Sequence, residues 1–198
     1  AEVPLPTGDV VRSLTRMDAE PTAAGGAPMT IADVRQALLA QGRQLHGKPV
    51  ALSTADADTF DLVELLYDQL SREVRQEAPA ASLVRRMQLT LLRVALNDRA
   101  FFVRPSHPAR QLLGTISEAA AKWLAEDDFD PQMLGPLQDA VTHVVKHYDG
   151  NVGVFEESIE RLRGHIDQQV RRAETLERRH VEAARGKEKM EIAEQRAG

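Results

Sequence analysis

The chain has 198 residues, 42% hydrophobic, 28% charged and 4% aromatic, with no cysteine and a formal net charge of -5. That length supports one core plus extensions. The missing cysteines exclude disulfide frameworks, thiolate zinc sites and cysteine nucleophiles, and the acidic balance argues against nucleic acid, whose phosphates need a concentrated positive field. No apolar run nears the roughly 20 residues that span a bilayer, and the opening Ala1-Glu2-Val3-Pro4 carries no secretory signal. These features fit an intracellular, reducing compartment. The missing initiator Met and a helical pattern that runs up to Gly198 read as a piece of a longer polypeptide.

In chain order, residues 1–29 form a flexible N-terminal segment with one short docking helix, its apolar positions Val10, Val11, Leu14 and Met17 following Asp9 as a cap. Pro21 to Pro28, with Gly25-Gly26 inside, reads as a linker. Thr30 precedes Ile31, Val34, Leu38 and Leu39 with Asp33 in the capping-box position, which predicts a helix to about Gln41 and a loop from Gly42 to Ser53. From Asp56, Leu62, Val63, Leu66, Leu70 and Val74 recur at helical spacing, widened by Tyr67. Leu83 to Leu96 is apolar around most of its circumference, the pattern of a centrally buried helix.

After a break at Asn97-Asp98 come Phe101-Phe102, read as core plugs, and then Ser106-His107-Pro108, where Ser106 can cap and Pro108 can open a helix. Leu112, Leu113, Ile116, Ala120, Trp123 and Leu124 give that helix one face. Asp130-Pro131 opens the next, with Leu134, Leu137, Val141, Val144, Val145 and Tyr148 as its stripe and Gly150 as its stop. Finally, Val152, Phe155, Ile159, Leu162 and Ile166 alternate at spacings of three and four, and the seam fades through Gln169, Ala173, Leu176, His180, Ala183, Lys187 and Met190. Ten acidic residues after Phe155 face ten basic ones, many at helix-pairing distance, such as Glu157 with Arg161, Asp167 with Arg171 and Glu174 with Arg178. A helix of that length reaches roughly 65 Å, more than a small domain covers, so its second half must project or pack on something else. The pattern predicts an all-α fold: a bundle of about five to six helices over residues 30–150, and over 151–198 a long, charge-rich, projecting C-terminal helix, with almost no sheet.

Three stretches carry a family resemblance: Asp56-Ala57-Asp58-Thr59-Phe60-Asp61-Leu62-Val63 with Leu65-Leu66-Tyr67; Arg86-Met87-Gln88-Leu89 through Leu92-Arg93-Val94-Ala95-Leu96; and Phe101-Phe102 followed by His107-Pro108-Ala109-Arg110-Gln111-Leu112-Leu113. They resemble DUF1631, a family of long bacterial cytoplasmic proteins of unknown function, over about residues 55–195. The chain departs from that family's pattern between Arg72 and Pro79 and near Lys122-Trp123. The resemblance implies a helical fold and a bacterial, cytoplasmic setting, and no activity.

Chemistry-bearing residues are few. His143 and His147 sit four apart, a spacing that lets two imidazoles share a metal, but Val144 stands where a zinc hydrolase needs Glu, and no metal site or cofactor is expected. Arg85, Arg86, Arg93, Arg99, Arg104 and Arg110 fall within 26 residues whose only acid is Asp98. If Arg104, His107 and Arg110 converge on the helix N-terminus near His107, they form an anion or nucleotide-messenger site. The plainer reading has these arginines pairing with Asp58, Asp61 and Asp98 across the helix junction. Glu126 to Asp130 lacks the donor spacing of a calcium loop, and no phosphate loop, nucleophile elbow or carboxylate pair occurs. The expectation is a non-catalytic interaction or regulatory module. It contacts a protein partner, another domain or a second copy by helix pairing through Phe155, Ile159, Leu162 and Ile166, without inserting into membranes or binding nucleic acid.

Overall fold

The computed structural model describes residues 2–19, 29–73, 79–125 and 127–197. The expected linker at residues 21–28, Val74 of the expected stripe, and Glu126 lie outside them. The fold is all-α, as the periodicity predicts, but it holds more and shorter helices than five or six, plus two small strand pairs.

Strand β1 (Val3–Leu5) leads into helix α1 (Thr7–Ala19). The helix starts two residues before Asp9, which sits inside its first turn and pairs with Arg12 instead of capping. Val10 and Leu14 are fully buried, so α1 belongs to the core. Helix α2 (Ile31–His46) opens with the predicted capping box: Thr30 Oγ1 accepts the Asp33 N–H and the Asp33 carboxylate accepts the Thr30 N–H, both at 3.1 Å. It runs past Gln41 to Gly47, whose φ of 63° provides the left-handed cap. The helix can continue through Gly42 because a glycine is needed there: a Cβ would lie 2.6 Å from a Val50 methyl. Val50 belongs to strand β2 (Val50–Leu52), which pairs in parallel with β1. Three-residue strands are too short to show alternation, so the sequence reads this stretch as loop.

Helix α3 (Thr54–Glu73) begins where Ser53 Oγ accepts the Asp56 N–H at 3.1 Å. Its buried face is Phe60, Val63 and Tyr67, with Leu66 and Leu70 half-buried, while Leu62 is 45% exposed. Val63, Leu66, Tyr67 and Leu70 of the predicted stripe thus face the core, Phe60 joins them, and among the described residues Leu62 alone falls outside. The apolar run 83–96 is buried as expected, yet it is two helices, α4 (Pro79–Arg86) and α5 (Gln88–Asn97), broken at a fully buried Met87. The Met87 N–H bonds back to Val84 O at 3.2 Å, one residue short of an α-helical bond, which tightens the chain into a corner. Tyr67 staples that corner, its hydroxyl donating to the same Val84 carbonyl at 2.8 Å.

The single turn α6 (Ala100–Val103) places Phe101 in the core and Phe102 at its edge. Helix α7 (Pro108–Trp123), strands β3 (Leu124–Ala125) and β4 (Asp128–Phe129), and helix α8 (Pro131–His147) follow. Asp130 caps α8 by accepting the Gln132 N–H at 2.9 Å, beside Pro131 in its first turn. Tyr148 ends α8, and Gly150, at φ 114°, makes the turn into α9 (Gly153–Ala197), which packs on both α7 and α8.

Burial, helped by the nearby Asp18 charge, drives the Tyr67 phenol far above its ordinary value of 10. The folded hydroxyl therefore keeps its proton where the unfolded chain's tyrosine ionises, and its contribution to stability is present below pH 10 and lost as pH rises beyond it. Tyr67→Phe should cost about 1 kcal/mol at neutral pH and should flatten the alkaline loss of stability, as read by urea unfolding at stepped pH.

Candidate functional site

The expected anion site gathers its three residues in sequence without turning them toward one point. Arg104 is exposed, and the Arg110 guanidinium donates to Phe102 O at 3.2 Å. His107, only 4% exposed, caps α7 in place of Ser106: its Nδ1 accepts the Ala109 N–H at 3.1 Å. In the neutral ring the proton then sits on Nε2, which faces Asp98 Oδ2 at 3.3 Å. The other oxygen of Asp98 accepts the Ala100 N–H at 3.0 Å. A carboxylate thus already stands beside the α7 N-terminus, where the macrodipole would hold an anion.

The arginine run does hold one buried charge, with a partner the sequence reading did not anticipate. Arg93 reaches Asp18 Oδ2 of α1 through Nη1 at 3.0 Å and the Tyr148 carbonyl through Nη2 at 2.9 Å, with its guanidinium carbon 5.1 Å from the Tyr148 ring centre. Thr90 adds a hydroxyl to the same Asp18 oxygen at 2.6 Å. Side-chain exposure is 5% for Arg93 and 6% for Asp18. Burial pushes the Asp18 carboxyl above its ordinary range, opposed by the Thr90 and Arg93 hydrogen bonds and the Arg93 charge. The legible signal was Asp18 itself, an acid continuing the Val10-Leu14-Met17 face, together with an arginine in a helix that is apolar all round. Of the expected acidic partners, Asp61 pairs with Arg35 at 3.0 Å and Asp98 faces His107.

The interaction anchors are committed to the chain's own core. Phe155, Ile159 and Leu162 are buried in the main cluster, and Ile166 is packed against it half-exposed. Their seam faces α7 and α8, because those helices leave a groove that only a third helix closes. The exposed part of α9 lies further on: Leu176, Val181, Met190 and Ile192 are all about half exposed or more. Glu157, matched in sequence with Arg161, instead meets His143 Nε2 at 3.2 Å. The His143 and His147 rings are 4.9 Å apart, and among the described residues no three His, Asp or Glu side chains converge on a metal position. No helix among them is long and apolar enough to cross a membrane.

These features define an all-α bundle closed by a long terminal helix and tied, among the described residues, by a buried ion pair between Arg93 and Asp18. The chain belongs to the DUF1631 family: the family model described as "Protein of unknown function (DUF1631) 2nd domain" matches residues 4–151. The match starts well before residue 55, taking in β1 and α1, and stops just short of α9. No curated protein and no solved structure matches the chain.

Arg93→Met should cost about 3 kcal/mol, because it leaves a desolvated carboxylate without its cation. Combining it with Asp18→Leu should cost less than the sum of the two single changes, a coupling measurable by urea unfolding of the four proteins in the cycle.

Proposed function

We propose that this chain is a non-catalytic helical interaction module of a bacterial cytoplasmic protein, in which residues up to about 166 form the body and the outer half of α9 is the contact element. The carrying observation is that residues 176–197 of α9 are exposed all round while the helix continues for about 30 Å beyond the bundle at about 1.5 Å per residue. Leu176, Ala183 and Met190 recur every seven residues, and Val181 and Ile192 stand eleven apart on another side of the helix. Two apolar rows suit insertion between partner helices better than a single two-stranded seam. The non-catalytic reading is supported by the side chains that carry buried polar groups: Arg93, Asp18, Thr90 and His107 are engaged with the fold itself.

A photo-crosslinking residue placed at Leu176 or Met190 in cells that make the protein should give defined protein adducts. The same residue at exposed Gln138 of α8 serves as the reference. Helix positions that yield no more adduct than Gln138 would contradict the proposal.

A further inference from the structure

Helices α1 and α2 diverge around a cleft of about 610 Å³ that neither α9 nor the ion-pair network uses. Its floor is apolar, formed by Leu5, Val10 and Leu38, with Gly42 contributing no side chain. Arg12 and Arg16 line its rim on the α1 side and His46 lines the α2 side; among the described residues lining it Asp9, paired to Arg12, is the one acid. Leu45 stands 80% exposed at the lip.

Elsewhere the same chain displays the opposite surface. The outer face of α3 presents Asp58, Leu62, Leu65 and Gln69 at spacings of four, three and four, flanked by Asp68. Leu62 and Leu65 are 45% and 54% exposed. This is a strip of helix with an apolar centre, carboxylates beside it and one cation, Arg72, at its far end; its acidic part complements a groove with an apolar floor and arginines along its rim. It arises because Phe60, Val63 and Tyr67 face inward and leave the two leucines outside.

We infer that the α1–α2 cleft is an association site for a second copy of this chain, which docks the acidic, leucine-bearing face of its α3 there. This surface is separate from the α9 contact element. The contact is heterologous, groove to ridge, so each copy has one of each and association extends head to tail. One cleft of this size buries less than a standard stable interface, so the affinity is weak, and the paired charges make it salt-sensitive.

Sedimentation velocity on the full chain up to millimolar concentration tests this. Wild type should show concentration-dependent growth that shrinks with added salt. Arg12→Glu with Arg16→Glu reverses the rim, and Asp58→Lys with Asp68→Lys reverses the ridge; all four residues are exposed, and unchanged circular-dichroism melting checks the fold. Each double variant alone should weaken association at least about tenfold, about 1.4 kcal/mol. Their mixture should restore association in alternating order, because the native rim of one variant meets the native ridge of the other and the reversed rim meets the reversed ridge. Leu176→Glu with Met190→Glu, which spoils the α9 rows, should leave all of this unchanged. Wild type that stays monomeric throughout, association indifferent to the rim reversal, or a mixture with no recovery would each overturn the inference.

Discussion

A guanidinium removed from water must be met by acceptors, and Arg93 sets that demand at the centre of the bundle. It is met by two parts of the chain far apart in sequence, Asp18 on α1 and Tyr148 after α8 through both its carbonyl and its ring, while Thr90 fixes the carboxylate from one turn away on α5. Hydrophobic burial alone would let α1 slide or rotate on α5, since apolar contact is not directional. The ion pair fixes one register. It also fixes the position of the turn that launches α9, because that turn supplies the second acceptor.

From this follows the division of α9. Its first turns are placed by the Tyr148 turn and driven into the groove of α7 and α8, so Phe155, Ile159 and Leu162 are used up in the fold. The rest of the helix leaves the body, carried outward by a rigid start. Such a helix holds its direction relative to the bundle, which is what a contact element needs if it is to meet a partner without a large ordering cost. Family membership sets the matched body at residues 4–151, and α9 begins two residues later.

Local rules were legible in the sequence, and long-range ones were not. The capping box of Thr30 and Asp33, the Asp130-Pro131 start and the core role of Phe101 depend on neighbours within a few residues, and the sequence displays them. The all-α class was equally plain from periodicity. The break at Met87 is a different matter: the run from Leu83 to Leu96 is apolar on every side, so nothing in its pattern marks where one helix stops. Leu62 was placed inward because it fits the spacing, but Phe60, a larger side chain two residues earlier, takes the core position at that edge of the stripe and leaves Leu62 outside. Asp18 and Arg93 lie 75 residues apart, with only their awkward positions on apolar faces to hint at each other. His107 was legible as a special residue beside a helix start, while its use as the cap itself needed geometry.

The free length of α9 and the cleft between α1 and α2 both depend on α1 being held in place. The measurement that tests this account most directly is native-state hydrogen exchange on Asp18→Asn beside the unaltered protein, resolved by segment. If Arg93 couples the chain as argued, amides of α1 and of α9 between Gly153 and Ile166 lose protection together, because both rely on one guanidinium. Loss confined to α1, with the base of α9 as protected as before, would contradict it and reduce the ion pair to a local clasp.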